Sequence, residues 1–176
     1  MIQKGKCEMK KISIKIVTVI LLCVVLGTLF LPGVVDRYQS RQAAKGTLDN
    51  LVNQNYEEAF ETIYYFDVAS DLEPTIHFNE AESKWIQRVN DLKERGTYVT
   101  GYKGLNVKLD DAYPIGNVDL IIMENGKETL KKNVRLLFFQ SDRGWSLGGF
   151  DFHSGKSADT EEDWERAWSG HIGSDA

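Results

Sequence analysis

Between Lys15 and Asp36 the chain carries no charged residue, and this run limits what the rest of the sequence can be. It holds Ile16, Val17, Val19, Ile20, Leu21, Leu22, Val24, Val25, Leu26, Leu29, Phe30 and Leu31, interrupted by Thr18, Cys23, Gly27, Thr28, Pro32 and Gly33. As a helix rising about 1.5 Å per residue, residues 16–35 span roughly 30 Å, the thickness of a bilayer's hydrocarbon core. A buried core helix of this length would keep a polar face. A cleavable signal peptide would share the lysine-rich start (Lys4, Lys6, Lys10, Lys11, Lys15) but would be shorter and would end in small residues. A lipoprotein would place small residues before its cysteine, whereas Cys23 follows Ile20-Leu21-Leu22. The sequence predicts an uncleaved transmembrane helix at 16–35, with Pro32-Gly33 closing it at the interface. Five lysines precede the run, against Arg37, Arg41 and Lys45 behind it. That bias places the basic segment 1–15 in the cytoplasm and everything after the span outside it, in the cell membrane as a single-pass protein.

Residues 36–176 are long enough to build one domain with its own core. Setting aside the five lysines and Glu8 leaves 16 basic and 25 acidic residues, a net charge of −9. A field of that sign argues against nucleic acid as a partner. Cys7 and Cys23 are the only cysteines, so the exposed part has no disulfide framework and no thiolate metal cluster. With no N-x-S/T site anywhere, this composition fits a bacterial envelope protein.

Helical periodicity comes first. Ala44, Leu48, Leu51 and Val52 share a face between Asp36 and Asn53. Tyr56, Ala59, Phe60, Ile63 and Tyr64 follow the i, i+3, i+4, i+7, i+8 pattern of a second helix, with Glu57, Glu58 and Glu61 opposite. A loop is expected through Asp67-Val68-Ala69-Ser70-Asp71, with Pro74 excluding a continuous helix. A third helix is predicted from Asn79 as N-cap, with Glu82 completing a capping box. Its stripe is Trp85, Val89 and Leu92, and Gly96 ends it.

Extended segments follow. Residues 97–109 alternate loosely, and Asp110-Asp111 with Pro114 and Gly116 form the first turn. Val118–Glu124 is a compact strand, and Asn125-Gly126 is a strong hairpin signal because both residues tolerate positive φ. The next strand runs from Lys127 to Gln140, and Ser141–Gly144 turns into a last one, Trp145–Phe152. Gly148-Gly149 reads as a bulge. The expected fold class is α+β, three helices and then four antiparallel strands in a meander. In the acidic tail, 154–176, Thr160 caps a short helix with Trp164 and Trp168 on one face. The tryptophan pair either folds back onto the domain, which is the expectation, or waits for a partner.

From about Gln39 to His153 the order of motifs resembles the NTF2-like (cystatin-like) superfamily. Tyr56-Glu57-Glu58-Ala59-Phe60 is similar to the x-Y-x-x-A-F/Y common in its second helix. Asn125-Gly126-Lys127 matches a hairpin of the family, and Arg143-Gly144-Trp145-Ser146-Leu147 its closing x-G-W-x-I/L strand. The resemblance implies a cone-shaped sheet wrapped around a helix in residues 36–153. An anchored domain of this kind also looks like the NTF2-like domains of penicillin-binding proteins and like subunits of conjugation machines. The fold hosts enzymes, ligand binders and assembly modules, so it leaves function open.

Chemistry is sparse. The best acid–base pair is Asp151 and His153, two apart on one face of the last strand, where a carboxylate could orient an imidazole base. A solvated strand end just before the Ser154-Gly155 loop is the strongly preferred reading of the pair. His77 sits in a loop with no partner nearby in sequence, and His171 is expected in a tail too mobile to preorganise a site. No hydrolase, metalloprotease, P-loop or dinucleotide motif is present, so no catalytic residue, metal or cofactor is assigned. Tyr64, Tyr65, Phe66, Trp85, Phe138, Phe139, Trp145, Phe150 and Phe152 could line a pocket or form the core. The pocket candidates carried forward are Trp85, Trp145, Asp151 and His153. The reading is a membrane-anchored, extracytoplasmic binding or assembly module without catalysis. Alternatives are a small-ligand binder and, less favoured, an isomerase or dehydratase using Asp151 and His153.

Overall fold

A computed structural model of the chain describes residues 3–68, 73–152 and 162–173, with side chains in the first helix described at 16–22 and from 32 onward. The chain divides into two compact units, Met1–Val35 and Asp36–Ala176. In order the elements are α1 (Gln3–Asn53), α2 (Tyr56–Phe60), α3 (Phe78–Glu94), β1 (Tyr98–Asp110), β2 (Tyr113–Glu124), β3 (Lys127–Ser141), β4 (Gly144–Asp151) and α4 (Asp163–Trp168). The strands form one antiparallel sheet in the order β1-β2-β3-β4, so the class is α+β with the expected meander.

The first unit is helical. Its described side chains Ile16, Val17 and Val19–Leu22 are all exposed. Among the described residues no helix is long and apolar enough to cross a membrane. The centre of the charge-free run, 23–31, lies outside the described side chains. Pro32-Gly33 does not end the helix as expected, because α1 continues through both residues to Asn53. A lone proline deletes one backbone donor, and the turns on either side hold the conformation.

In the second unit, Ser40, Ala44, Thr47, Leu48 and Leu51 are buried along one face of α1. The two hydroxyls on that face are satisfied locally, Ser40 Oγ donating to Asp36 O at 2.8 Å and Thr47 Oγ1 to Ala43 O at 3.0 Å. α3 contributes Ala81, Trp85, Val89 and Leu92, the predicted stripe. These helices share one core with Val118, Leu120, Ile122, Val134, Leu136, Phe138 and Leu147 of the sheet. Gly96, at φ +88°, ends α3 as expected: its N–H reaches Lys93 O at 2.8 Å, and Thr97 N–H reaches Leu92 O at 3.1 Å. The start differs. His77, extended at ψ 148°, is the N-cap without a side-chain bond, and Asn79 already lies inside the helix.

Two further departures have clear causes. α2 stops at Phe60 because the chain beyond it becomes extended: Leu147 N–H donates to Thr62 O at 3.1 Å, and Tyr64 N–H donates to Leu147 O at 2.8 Å. Ile63 therefore bridges β4 in parallel and does not continue a helix. β2 starts five residues earlier than predicted, with Pro114 paired to Leu109 and Gly116 to Val107. The turn needs only Asp111 and Ala112, both at positive φ. Gly116 belongs in the strand because a Cβ there would lie 2.9 Å from Leu136 Cβ. Gly148 is the extra residue of the predicted bulge, where the β3–β4 register shifts.

The described part of the tail, 162–173, is part of the fold. Trp164 and Trp168 are 1 % exposed and pack against each other with ring centroids 5.3 Å apart. Glu162 and Glu165 form a capping box at the start of α4, two residues after the predicted cap Thr160, which lies outside the described residues. Phe66 N–H donates to Gly170 O at 2.9 Å and Ile172 N–H to Phe66 O at 2.7 Å, tying the chain end to the segment after α2. The Phe66 ring stacks on His171, 5.0 Å between centroids.

Candidate functional site

Because Ile63 pairs with Leu147, residues 61–65 run beside the edge of β4. The start of α3 and the β3–β4 turn close around them. Between these three segments lies a cleft of about 470 Å³, lined by Ile63, Tyr64, Tyr65, Pro74, Phe78 and Ser146 with Glu61, Glu73, Asp142 and Arg143 among its polar residues. Ligand pockets are commonly of this size and mixed character. Aromatic packing fixes the wall. Tyr65 meets Phe78 edge-on at 6.0 Å, both pack on buried Phe60 at 5.6 and 5.3 Å, and Tyr64 lies against Phe139 at 5.3 Å.

The rim is ordered by short polar contacts. Thr75 N–H donates to Asp67 Oδ1 at 2.7 Å, and the Thr75 hydroxyl donates to the other carboxylate oxygen. The hydroxyl bond and then the backbone bond hold the Asp67 carboxyl below its ordinary pKa, so this clasp, next in sequence to Glu73 and Pro74, keeps its charge. On the opposite side Ser141 Oγ accepts from Arg143 N–H and donates to Gly144 O, each at 3.2 Å. That turn carries the Arg143 guanidinium over the Phe78 ring, 5.9 Å from its centroid.

The four residues singled out from the sequence do not meet here. Trp85 is fully buried beneath α4, its indole N–H donating to Ser169 O at 3.1 Å. Trp145 lies in the core beside Tyr113, 6.3 Å between ring centroids. Its indole N–H has no partner among the described residues. Asp151 ends β4 opposite Arg135, half-buried, and His153 lies outside the described residues. Of the nominated aromatics, Tyr64 and Tyr65 do face the cleft. Sequence reading missed Phe78, Glu61 and the Asp142-Arg143 pair. Phe78 precedes the α3 stripe, and Asp142-Arg143 reads simply as turn.

A second hollow, about 570 Å³, lies by α4 and is lined by Arg95, Glu124, Lys131 and Asp163 among others. Four of its five charged residues pair with one another, Arg95 with Asp163 at 3.2 Å and Lys131 with Glu124 at 3.0 Å, and the fifth, Glu162, caps α4. It is therefore the weaker candidate. Among the described residues no three His, Cys, Asp or Glu side chains cluster as a metal site. Comparison of the chain with family models, curated proteins and solved structures found no match.

Proposed function

We propose that this chain is a single-pass membrane protein with a cytoplasmic N-terminus. Its folded unit would be an extracytoplasmic, non-catalytic binding or assembly module of a bacterial envelope, built on an NTF2-like cone. The observation that carries the reading is the uncharged stretch between Lys15 and Asp36, with its five preceding lysines. The exposed apolar side chains Ile16, Val17 and Val19–Leu22 support it, since a lipid surround is the solvent in which such a surface is stable. The helices-then-meander order supports the NTF2-like reading.

Two measurements test this. Cysteine-accessibility labelling in intact cells should modify a probe introduced at Glu128 and spare one introduced at Lys10. The opposite pattern would overturn the orientation, and release of the protein by alkaline carbonate would overturn the anchor. Crosslinking in the native membrane followed by mass spectrometry should then return the same envelope proteins reproducibly, and lose them when 36–176 is deleted. No reproducible partner would refute the assembly reading. The second reading, a small-ligand binder, is favoured by the cleft beside Ile63 and Ser146 rather than by a pocket at Trp85 or Trp145.

A further inference from the structure

We propose that the cleft between residues 61–65, the start of α3 and the β3–β4 turn receives a basic segment of a partner protein. In this mode a lysine or arginine side chain lies against the aromatic wall and an apolar neighbour rests on Ile63 and Pro74. The inference rests on the reading of the folded unit as a binding module and names its partner's chemistry.

Three observations carry it. The wall is aromatic, Tyr64, Tyr65 and Phe78, whose ring faces attract cations. Three carboxylates, Glu61, Glu73 and Asp142, line the cleft against one guanidinium, within a unit of net charge −9. An incoming cation is therefore favoured locally and steered from a distance, while an anion is opposed by both fields. Third, the wall already holds a guanidinium: Arg143 lies 5.9 Å above Phe78. The chain's own side chain occupies the place that an arginine of the partner would take. Arg143 is thus an internal competitor, and its removal should help the partner bind.

The test uses the full-length chain in nanodiscs of uncharged phosphatidylcholine, with empty nanodiscs subtracted. The probes are a fluorescein-labelled octapeptide alternating arginine and leucine and its glutamate–leucine counterpart. Saturable binding of the arginine peptide is expected, weakening at least about tenfold between roughly 0.05 and 0.5 M salt. Glu61→Gln with Asp142→Asn should weaken it about fivefold or more, and Arg143→Gln should tighten it about threefold. All three residues are exposed, and near-UV circular dichroism verifies that the variants fold. Absence of saturable binding up to about 1 mM overturns the proposal, as does equal binding of the glutamate peptide. Indifference to the carboxylate variants, or loss of binding in Arg143→Gln, overturns it as well. Failure of the module reading is separable. If the wild-type chain captures no partner in the native membrane yet binds the arginine peptide through these residues, the assembly reading falls and the cleft stands. If a partner is captured equally by the Glu61→Gln, Asp142→Asn variant, the module stands and the cleft proposal falls.

Discussion

Replacing Arg88 by methionine should release the C-terminal segment from the fold. The Arg88 guanidinium donates to three carbonyls at the end of α4: Nε to Ala167 at 3.1 Å, Nη1 to His171 at 2.6 Å and Nη2 to Ser169 at 2.7 Å. The Ala167 and Ser169 oxygens belong to the last turn and C-cap of α4, where a cation suits both as donor and as charge, and His171 O follows just beyond it. Methionine keeps most of the apolar stem and removes every donor. A hydrogen bond to a charged group is worth about 1.5–3 kcal/mol, and the three share one cation, so the loss is about 3–5 kcal/mol rather than their sum. Lysine keeps the charge without the planar fork and should lose roughly half as much. Urea unfolding of the full-length chain in detergent, followed by tryptophan fluorescence, reads this directly. Trp85, Trp164 and Trp168, three of the four tryptophans, are buried at this junction. With a slope of about 2 kcal/mol/M, the Arg88→Met midpoint should fall by about 2 M. A change within about 0.5 kcal/mol of wild type would refute the view that this clasp holds the tail.

Gly170→Ala should be more disruptive than its position near the terminus implies, because the new Cβ would stand 1.8 Å from Tyr64 O, a backbone atom with little room to yield. Faster hydrogen exchange at the Phe66 and Ile172 amides is the readout, and unchanged protection would contradict the pairing. Trp168→Ala removes a side chain packed against Trp164 and Phe150 and should cost about 3–5 kcal/mol in thermal or urea unfolding. Tyr102 gives a pH dependence. Burial first, and then the hydrogen bond to Asp49 at 2.5 Å and that carboxylate's charge, push its pKa from 10.0 to about 12. The folded state therefore holds this proton more tightly than the unfolded state. The stabilisation is complete below pH 10.0 and drains away as pH rises towards about 12. Tyr102→Phe should flatten that alkaline decline, and an unaltered slope would show that Tyr102 is not its source.

Much of the fold was legible where a local pattern and the tertiary outcome agree. The α3 stripe of Trp85, Val89 and Leu92 needed only the helical period, and Gly96 and Asn125-Gly126 only the demand for positive φ. The pattern failed where a distant partner intervened. Ile63 and Tyr64 continue the apolar period of α2, but the backbone at 62–64 finds its bonds on β4, and extended pairing wins over a short helix. Pro114 and Gly116 look like turn residues, yet Gly116 is required by the closeness of Leu136 in a strand. The cleft was the least legible feature. Its walls come from three segments separated by up to about 80 residues, and the turn chemistry of Asp142-Arg143 gives no hint that Phe78 lies beneath it.

By itself the sequence determined the charge-free run after a lysine-rich start, an acidic balance in the residues after it, and helices preceding a four-stranded meander. Each of these follows from composition or from periods of 2 and 3.6, which act over a few residues. The sequence led to the expectation that Trp164 and Trp168 fold back, but only the tertiary structure decided where and how residues 162–173 dock on the domain. That outcome depends on carbonyls at 167, 169 and 171 meeting Arg88, and on Trp164 and Trp168 finding Phe150. Such long-range partners leave no periodic trace, because their free energy comes from burial and satisfied donors assembled across the whole chain.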